Sequence, residues 1–499
     1  MKIVNIMNFA RSYEPRDREV ELRLADTTIA QMRLANEMNV PATFLLQYDV
    51  LCNEDYIRRI LDEASENIEF GFWYEVVEPL TTACGLPYES KLGYKWDWNI
   101  KPGFSMSYPK AQRELLIDEA MRKFKEIFGY FPKVIGSWLV DTHTVNYLAE
   151  NYDVDGIWFC RDQINTDAYT LVGGYFNQGY YPSVNNMFTP AGSRDNQVNI
   201  PLFRLLGPDP IHNYDGEKYR PEGVPPSVYT MELVHDTTAG GSKEVSDWYF
   251  KSYFDNESLG FAYMQIGQEN SFNSFDLITP LRYQIERILE RPDVKLEKMS
   301  DTARAFRARY KETPATCVCA LDNWENYDVQ SIYYDSKNYT VNIFRHESKV
   351  FIRSLYLFDE GIKDLYETSE CDTFDAVYEN MPIVDTVYQK GDTDGGYGII
   401  LDDGCKEPLR VEKTEDDVLK VYWDNNSVTF TPTNVILENC KLSFTPNMIN
   451  TKITVNPDTL DYEYKNNKYS LKIKKGFFKS HGKTILCDAS SVIITPSKH

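Results

Sequence analysis

Histidine is scarce in this chain, six in 499 residues, and no two stand as His-x-His, His-x-x-x-His or HExxH. Catalytic zinc normally takes three well-placed protein ligands, so no metal site is expected from spacing. Glycine-rich phosphate motifs are missing as well. There is no GxGxxG, no P-loop and no GxSxG, which leaves nucleotide binding and serine hydrolase chemistry without support. No cofactor is expected. No run of about 18 apolar residues occurs, so no membrane span is expected. The opening Met1-Lys2-Ile3-Val4-Asn5-Ile6 moves directly into a strand pattern, without the apolar core and cleavage site of a signal peptide. Positive charge is short too. A net charge of −22 repels nucleic acid and anionic membrane surfaces, and it disfavours acidic polysaccharides unless a local basic pocket overrides it. The nine cysteines are scattered, with no CxxC and with Cys317 and Cys319 too close to pair. They read as reduced thiols of a cytoplasmic protein.

What is abundant is aromatic surface and carboxylate. Tyrosine (35) and phenylalanine (26) are plentiful, and tyrosine offers both an apolar face and a hydroxyl, which suits sheet packing as well as sugar contact. The length calls for more than one core. Residues 1–312 alternate strand and helix signals, with strands expected at 3–9, 42–47, 68–74, 133–140, 156–160, 228–234 and 260–266. The clearest helix is Lys110–Phe128, stopped by Gly129. Two long connections, 76–109 with Trp96 and Trp98, and 161–227 with the aromatic run Tyr169 to Tyr181, read as walls of a cleft. From 315 to 499 the pattern is alternating strands broken by Asn, Asp and Gly turns, an all-β sandwich region. The fold class is therefore α/β, a (β/α)7-type barrel followed by a β-sandwich.

In such a barrel, chemistry belongs at the C-terminal strand ends. Strand-like runs end there on Glu75, Asp141, Asp162, Asp236 and Glu269. Glycoside cleavage needs one carboxylate at the anomeric carbon and one carboxylic acid for the leaving oxygen. Asp141 and Glu269 lead because small or polar residues share their strand faces: Ser137 with Asp141, and Gln265 and Gly267 with Glu269. The competing reading for each is a helix cap or an arginine partner. Glu75 and Asp162 are expected to hold sugar hydroxyls or to form ion pairs. Asn8, Arg11 and His235 join them as polar strand-end groups, and Gln47 with Asp49 follows the second strand. Trp73, Trp138, Trp158 and Tyr175 are expected to stack on sugar rings.

The run Gly136-Ser137-Trp138-Leu139-Val140-Asp141 resembles the Gly-x-Trp-Leu-x-Glu that ends the fourth strand in glycoside hydrolase family 57. That family and family 38 share a (β/α)7 fold related to the polysaccharide deacetylases. The resemblance implies a retaining glycosidase with Asp141 as nucleophile and Glu269 as acid/base, acting on an oligosaccharide or glycoside. The family 57 opening His-x-His is replaced here by the region of Asn8 and Arg11. Two rivals stay open: a metal-dependent deacetylase or mannosidase-like enzyme using His143 or His235, and a barrel that binds glycan without cleaving it. The C-terminal region has three open roles: supporting the barrel, binding glycan or forming a homo-oligomer.

Overall fold

The computed structural model describes all residues except 161–162, 167–168, 206–208, 212–241, 272–276, 326, 387–397, 446–450, 482–483, 488–490 and 499. Its N-terminal part is a nearly closed parallel barrel of seven strands: β1 (Lys2–Ala10), β2 (Ala42–Gln47), β3 (Ile68–Trp73), β4 (Val134–Ser137), β5 (Gly156–Phe159), β6 (Leu202–Arg204) and β7 (Ala262–Ile266). They hydrogen-bond in the order β6-β5-β4-β3-β2-β1-β7, and β8 (Val294–Glu297) also pairs with β1. The strands are buried almost throughout, as expected when helices cover a parallel sheet.

The sixth strand departs from the expectation. Leu202–Arg204 pairs in parallel with β5, whereas 228–234 lies outside the described residues. Three residues following Pro201 carry too little periodicity to stand out inside a long connection.

Local chemistry explains the helix ends. The helix α1 (Arg18–Met38) starts where Asp17 accepts from the amides of Glu19 and Val20, and it ends on left-handed Asn39. The helix α2 (Lys110–Phe128) ends on Gly129 at φ 81°, the stop its sequence announced. Asp141 caps α3 (Thr142–Asn151) by accepting from the Thr144 amide. The helix α4 (Met299–Arg309) packs back on β1 and β5.

The C-terminal region is built of antiparallel sheets, one 9-stranded and one 8-stranded. Strands expected near 339–344, 350–357, 418–423, 427–430 and 469–473 are found at Tyr339–His346, Lys349–Leu357, Val418–Trp423, Asn426–Phe430 and Asn467–Lys475. Residues of both sheets, such as Ile332, Leu419, Trp423 and Tyr469, share one core. The barrel meets this region through an aromatic seam in which Phe176 stacks on Tyr333 with centroids 3.6 Å apart. A second join is parallel pairing of Ala376–Glu379 with Tyr169–Val172.

Candidate active site

Because the barrel strands are parallel, the chain following β1, β2, β3, β4 and β7 emerges at one end. Two separate acid clusters form there.

The first gathers around Arg11, which directly follows β1. Its Nη2 donates to Glu269 Oε2 at 2.6 Å, and Nη1 lies 3.6 Å from Glu14. Its guanidinium carbon sits 4.2 Å from the Trp96 ring centroid. Two features of β7's extension bring Glu269 here. Gly267 has φ 109°, and a Cβ there would stand 2.0 Å from the Met7 carbonyl, so only glycine lets the chain hug β1. Glu269 then bridges to Phe9 in parallel register. Next to it, the Asn270 side chain accepts from the Arg11 amide at 3.1 Å and donates to the Arg11 carbonyl at 2.9 Å. Asn270 also donates to the Leu24 carbonyl and to the Tyr56 hydroxyl. The ends of β1 and β7 are thereby locked together.

Glu75 belongs to the same cluster. Its Oε2 accepts from Gln47 Nε2 at 2.6 Å and from the Trp73 indole at 2.7 Å. Burial is the dominant influence on it and pushes its carboxyl up to about 7. Arg11 pulls the other way, as do Trp73 and Trp96, while Glu269 pushes it further up. Asp49 is raised to about 6 by burial, against donors that include the amides of Ser12 and Val50. Glu14 is held below the usual range. Burial works against this, but the hydrogen-bonded Arg16 and nearby Arg11 outweigh it.

Several polar atoms of this cluster are buried without a protein partner: Asn8 Nδ2, Arg11 Nε, Gln47 Oε1, Glu75 Oε1 and Trp96 Nε1. The Trp96 indole adds its pull on Glu75 without completing a hydrogen bond. Such groups need water or a ligand to offset their desolvation. Aromatics line the cluster. Trp73 stacks on Phe9 at 4.0 Å, and Trp138, half-buried, sets its edge against both, so Trp73 is fully buried and has no face left for the sugar ring expected there. Arg16 lies over Trp96 and Trp98 at the rim.

The second cluster surrounds Asp141, which is fully buried. One oxygen takes Arg113 Nη1 at 2.9 Å and the Thr144 amide at 3.1 Å; the other takes the hydroxyls of Ser105 and Thr144. Burial would raise this carboxyl, but Arg113 and the Ser105 and Thr144 donors together hold it below its ordinary value. Asp364 of the C-terminal region closes the assembly, accepting from the Thr142 and Tyr378 hydroxyls. The competing reading, a cap with an arginine partner, describes Asp141's surroundings.

The structure thus brings Asn8, Arg11, Trp73, Glu75, Trp138 and Glu269 to one mouth and holds Asp141 in a different network. Trp158 stacks on Phe203 at 4.7 Å and donates to the Tyr263 hydroxyl inside the barrel core, leaving it no exposed face. Tyr175 is buried in the seam to the C-terminal region, its hydroxyl donating to the Pro314 carbonyl. His143 meets Glu114 at 2.9 Å on the helical layer. Asp162, Asp236 and His235 lie outside the described residues. Among the described residues, no three His, Cys, Asp or Glu side chains come together as ligands for a metal ion. Asn270 and Glu14 were not singled out from the sequence. The only available signal was proximity to Glu269 and Arg11.

No protein-family model and no curated protein matches the chain. Solved structures do. One from Parabacteroides distasonis, described as a "putative glycoside hydrolase/deacetylase", is 15% identical over 77% of this chain and 88% of its own, with a TM-score of 0.51. A "putative polysaccharide deacetylase" from Mycobacterium smegmatis is 14% identical over 62% of this chain and 90% of its own, TM-score 0.39. A glycoside hydrolase family 57 branching enzyme from Thermococcus kodakaraensis is 10% identical over 62% of this chain and 71% of its own, TM-score 0.34. The first of these carries the comparison, and at its identity it speaks to fold: a nearly closed parallel barrel followed by a β-rich region, the fold class read from the sequence.

Proposed function

We propose that this chain is a glycoside hydrolase whose centre is the Arg11–Glu75–Glu269 cluster. The observation that carries the reading is the pairing of two unlike carboxyl groups at the barrel mouth. Glu75 is raised to about 7 and so holds its proton near neutrality, and Glu269 is ion-paired to Arg11. Unlike environments around two carboxyl groups are how an acid and a base are assigned within one site. Half-buried Trp138 and the unpartnered polar atoms around the pair suit a hydroxyl-bearing ring.

In this reading Glu75 gives its proton to the glycosidic oxygen as the bond from the anomeric carbon to that oxygen breaks. Glu269 faces the positive charge that develops on the ring. Water then supplies hydroxide to the anomeric carbon, and its remaining proton returns to a carboxylate. Asp141 contributes by fixing the end of β4, not by touching substrate. The barrel, residues 1–312, is the catalytic unit and the β-rich 315–499 its support, an oligosaccharide or glycoside being the substrate. The described comparison structure, whose name joins hydrolase and deacetylase, fits either activity. The glycosidase reading is preferred because the paired carboxyl groups suit it.

The test is hydrolysis of aryl α- and β-glycosides and short oligosaccharides, set beside release of acetate from acetylated glycans. Glycoside cleavage that disappears in Glu75→Gln supports the proposal. Acetate release without glycoside cleavage overturns it.

A further inference from the structure

Within the site just proposed, two glutamates compete for one arginine, and the geometry decides unequally between them. Arg11 touches Glu269 at 2.6 Å, while Glu75 instead accepts from neutral Gln47 and Trp73. Arg11 cannot swing from one to the other. Its backbone is clamped on both sides by Asn270, and Asn270 is itself held by Leu24 and Tyr56. Its guanidinium lies against Trp96 and, at 5.0 Å, against Phe9.

We propose that Arg11 is a positioning residue that assigns the two carboxylates their roles, holding Glu269 in an ion pair and leaving Glu75 with neutral partners only. The inference rests on the proposed function for what those roles accomplish, but the assignment itself can be read without turnover. The charged and titratable neighbours facing this group among the described residues are Glu14, Asp49, Glu75 and Glu269 around Arg11, with Arg16 neutralising Glu14. Arg11 lowers and Glu269 raises the proton affinity of Glu75. Removing either partner therefore moves Glu75 in opposite directions, which a purely structural role for Arg11 does not produce.

Trp73 supplies the probe, because its indole donates directly to Glu75. Tryptophan fluorescence of the whole chain is titrated against pH, and the Glu75→Gln titration is subtracted. Wild type is expected to show a midpoint near 7, where burial places Glu75. Arg11→Met is expected to move it up by about one unit or more, and Glu269→Gln to move it down. Arg11→Lys, which keeps the charge, is expected to restore most of the wild-type value, and Glu269→Gln serves as the readout if Arg11→Met does not fold. An unmoved midpoint in folded Arg11→Met overturns the assignment, and where that variant does not fold, an unmoved midpoint in Glu269→Gln overturns it. Opposed shifts without cleavage of any glycoside leave the assignment standing and sink the glycosidase reading instead.

Discussion

Two carboxylates, Glu75 and Asp141, follow barrel strands at the same end of the barrel, in separate clusters, and their surroundings differ. Each oxygen of Asp141 meets two donors, one of them from Arg113, and the residue caps a helix. Glu75 has one oxygen bonded to neutral donors and the other buried without a partner. A saturated buried ion is held by what surrounds it; an unsaturated carboxyl with raised proton affinity is poised to react. On the proposed reading, the richer network is the structural one and Glu75 the reacting group.

The largest expected effect breaks this comparison at Glu75. Glu75→Gln should lower kcat on a cleaved glycoside by about 10²–10⁴-fold, the usual worth of a general acid, with the fold intact by circular dichroism. Asp141→Asn should do the reverse. Removing one partner of a buried pair leaves Arg113 uncompensated, so chemical denaturation should show a loss of about 3–5 kcal/mol, and kcat should survive wherever the variant stays folded.

A third prediction uses pH. The folded chain binds the Glu75 proton more tightly than the unfolded chain does. The stability it carries is whole below the ordinary value of 4.5 and is lost as pH rises through about 7. That change amounts to about 3 kcal/mol. Stability measured against pH should lose that slope in Glu75→Gln, and the activity of wild type should fall along the same alkaline limb. The smallest effect sharpens the other side. Ser105→Ala removes one donor from Asp141 and should cost about 1 kcal/mol by thermal melting with kcat unchanged.

Much of the architecture was legible in the chain. Six of the seven barrel strands and five strands of the β-rich region announce themselves through apolar runs and turn residues, because burial on a sheet imposes a period of two or a short apolar block. The strand Leu202–Arg204 escaped because it is too short to show a period. The mouth was legible as a ring of strand-end residues, but not its wiring. Arg11 and Glu269 are 258 residues apart, and nothing local to either names the other. Asp141 carried the most recognisable motif, yet the same residue type at a strand-to-helix junction also serves as a cap, and its partner Arg113 on α2 is not local to that motif. Trp158 and Tyr175 show the same limit. An aromatic near a strand end looks alike from sequence whether it faces a ligand or a neighbouring ring.

The most direct test compares the turnover of folded Glu75→Gln with that of folded Asp141→Asn on one cleaved glycoside, at a pH below the Glu75 midpoint. The account predicts that the first is nearly inactive and the second retains close to wild-type kcat. An inactive, fully folded Asp141→Asn beside an active Glu75→Gln would contradict it and return the chemistry to the end of β4.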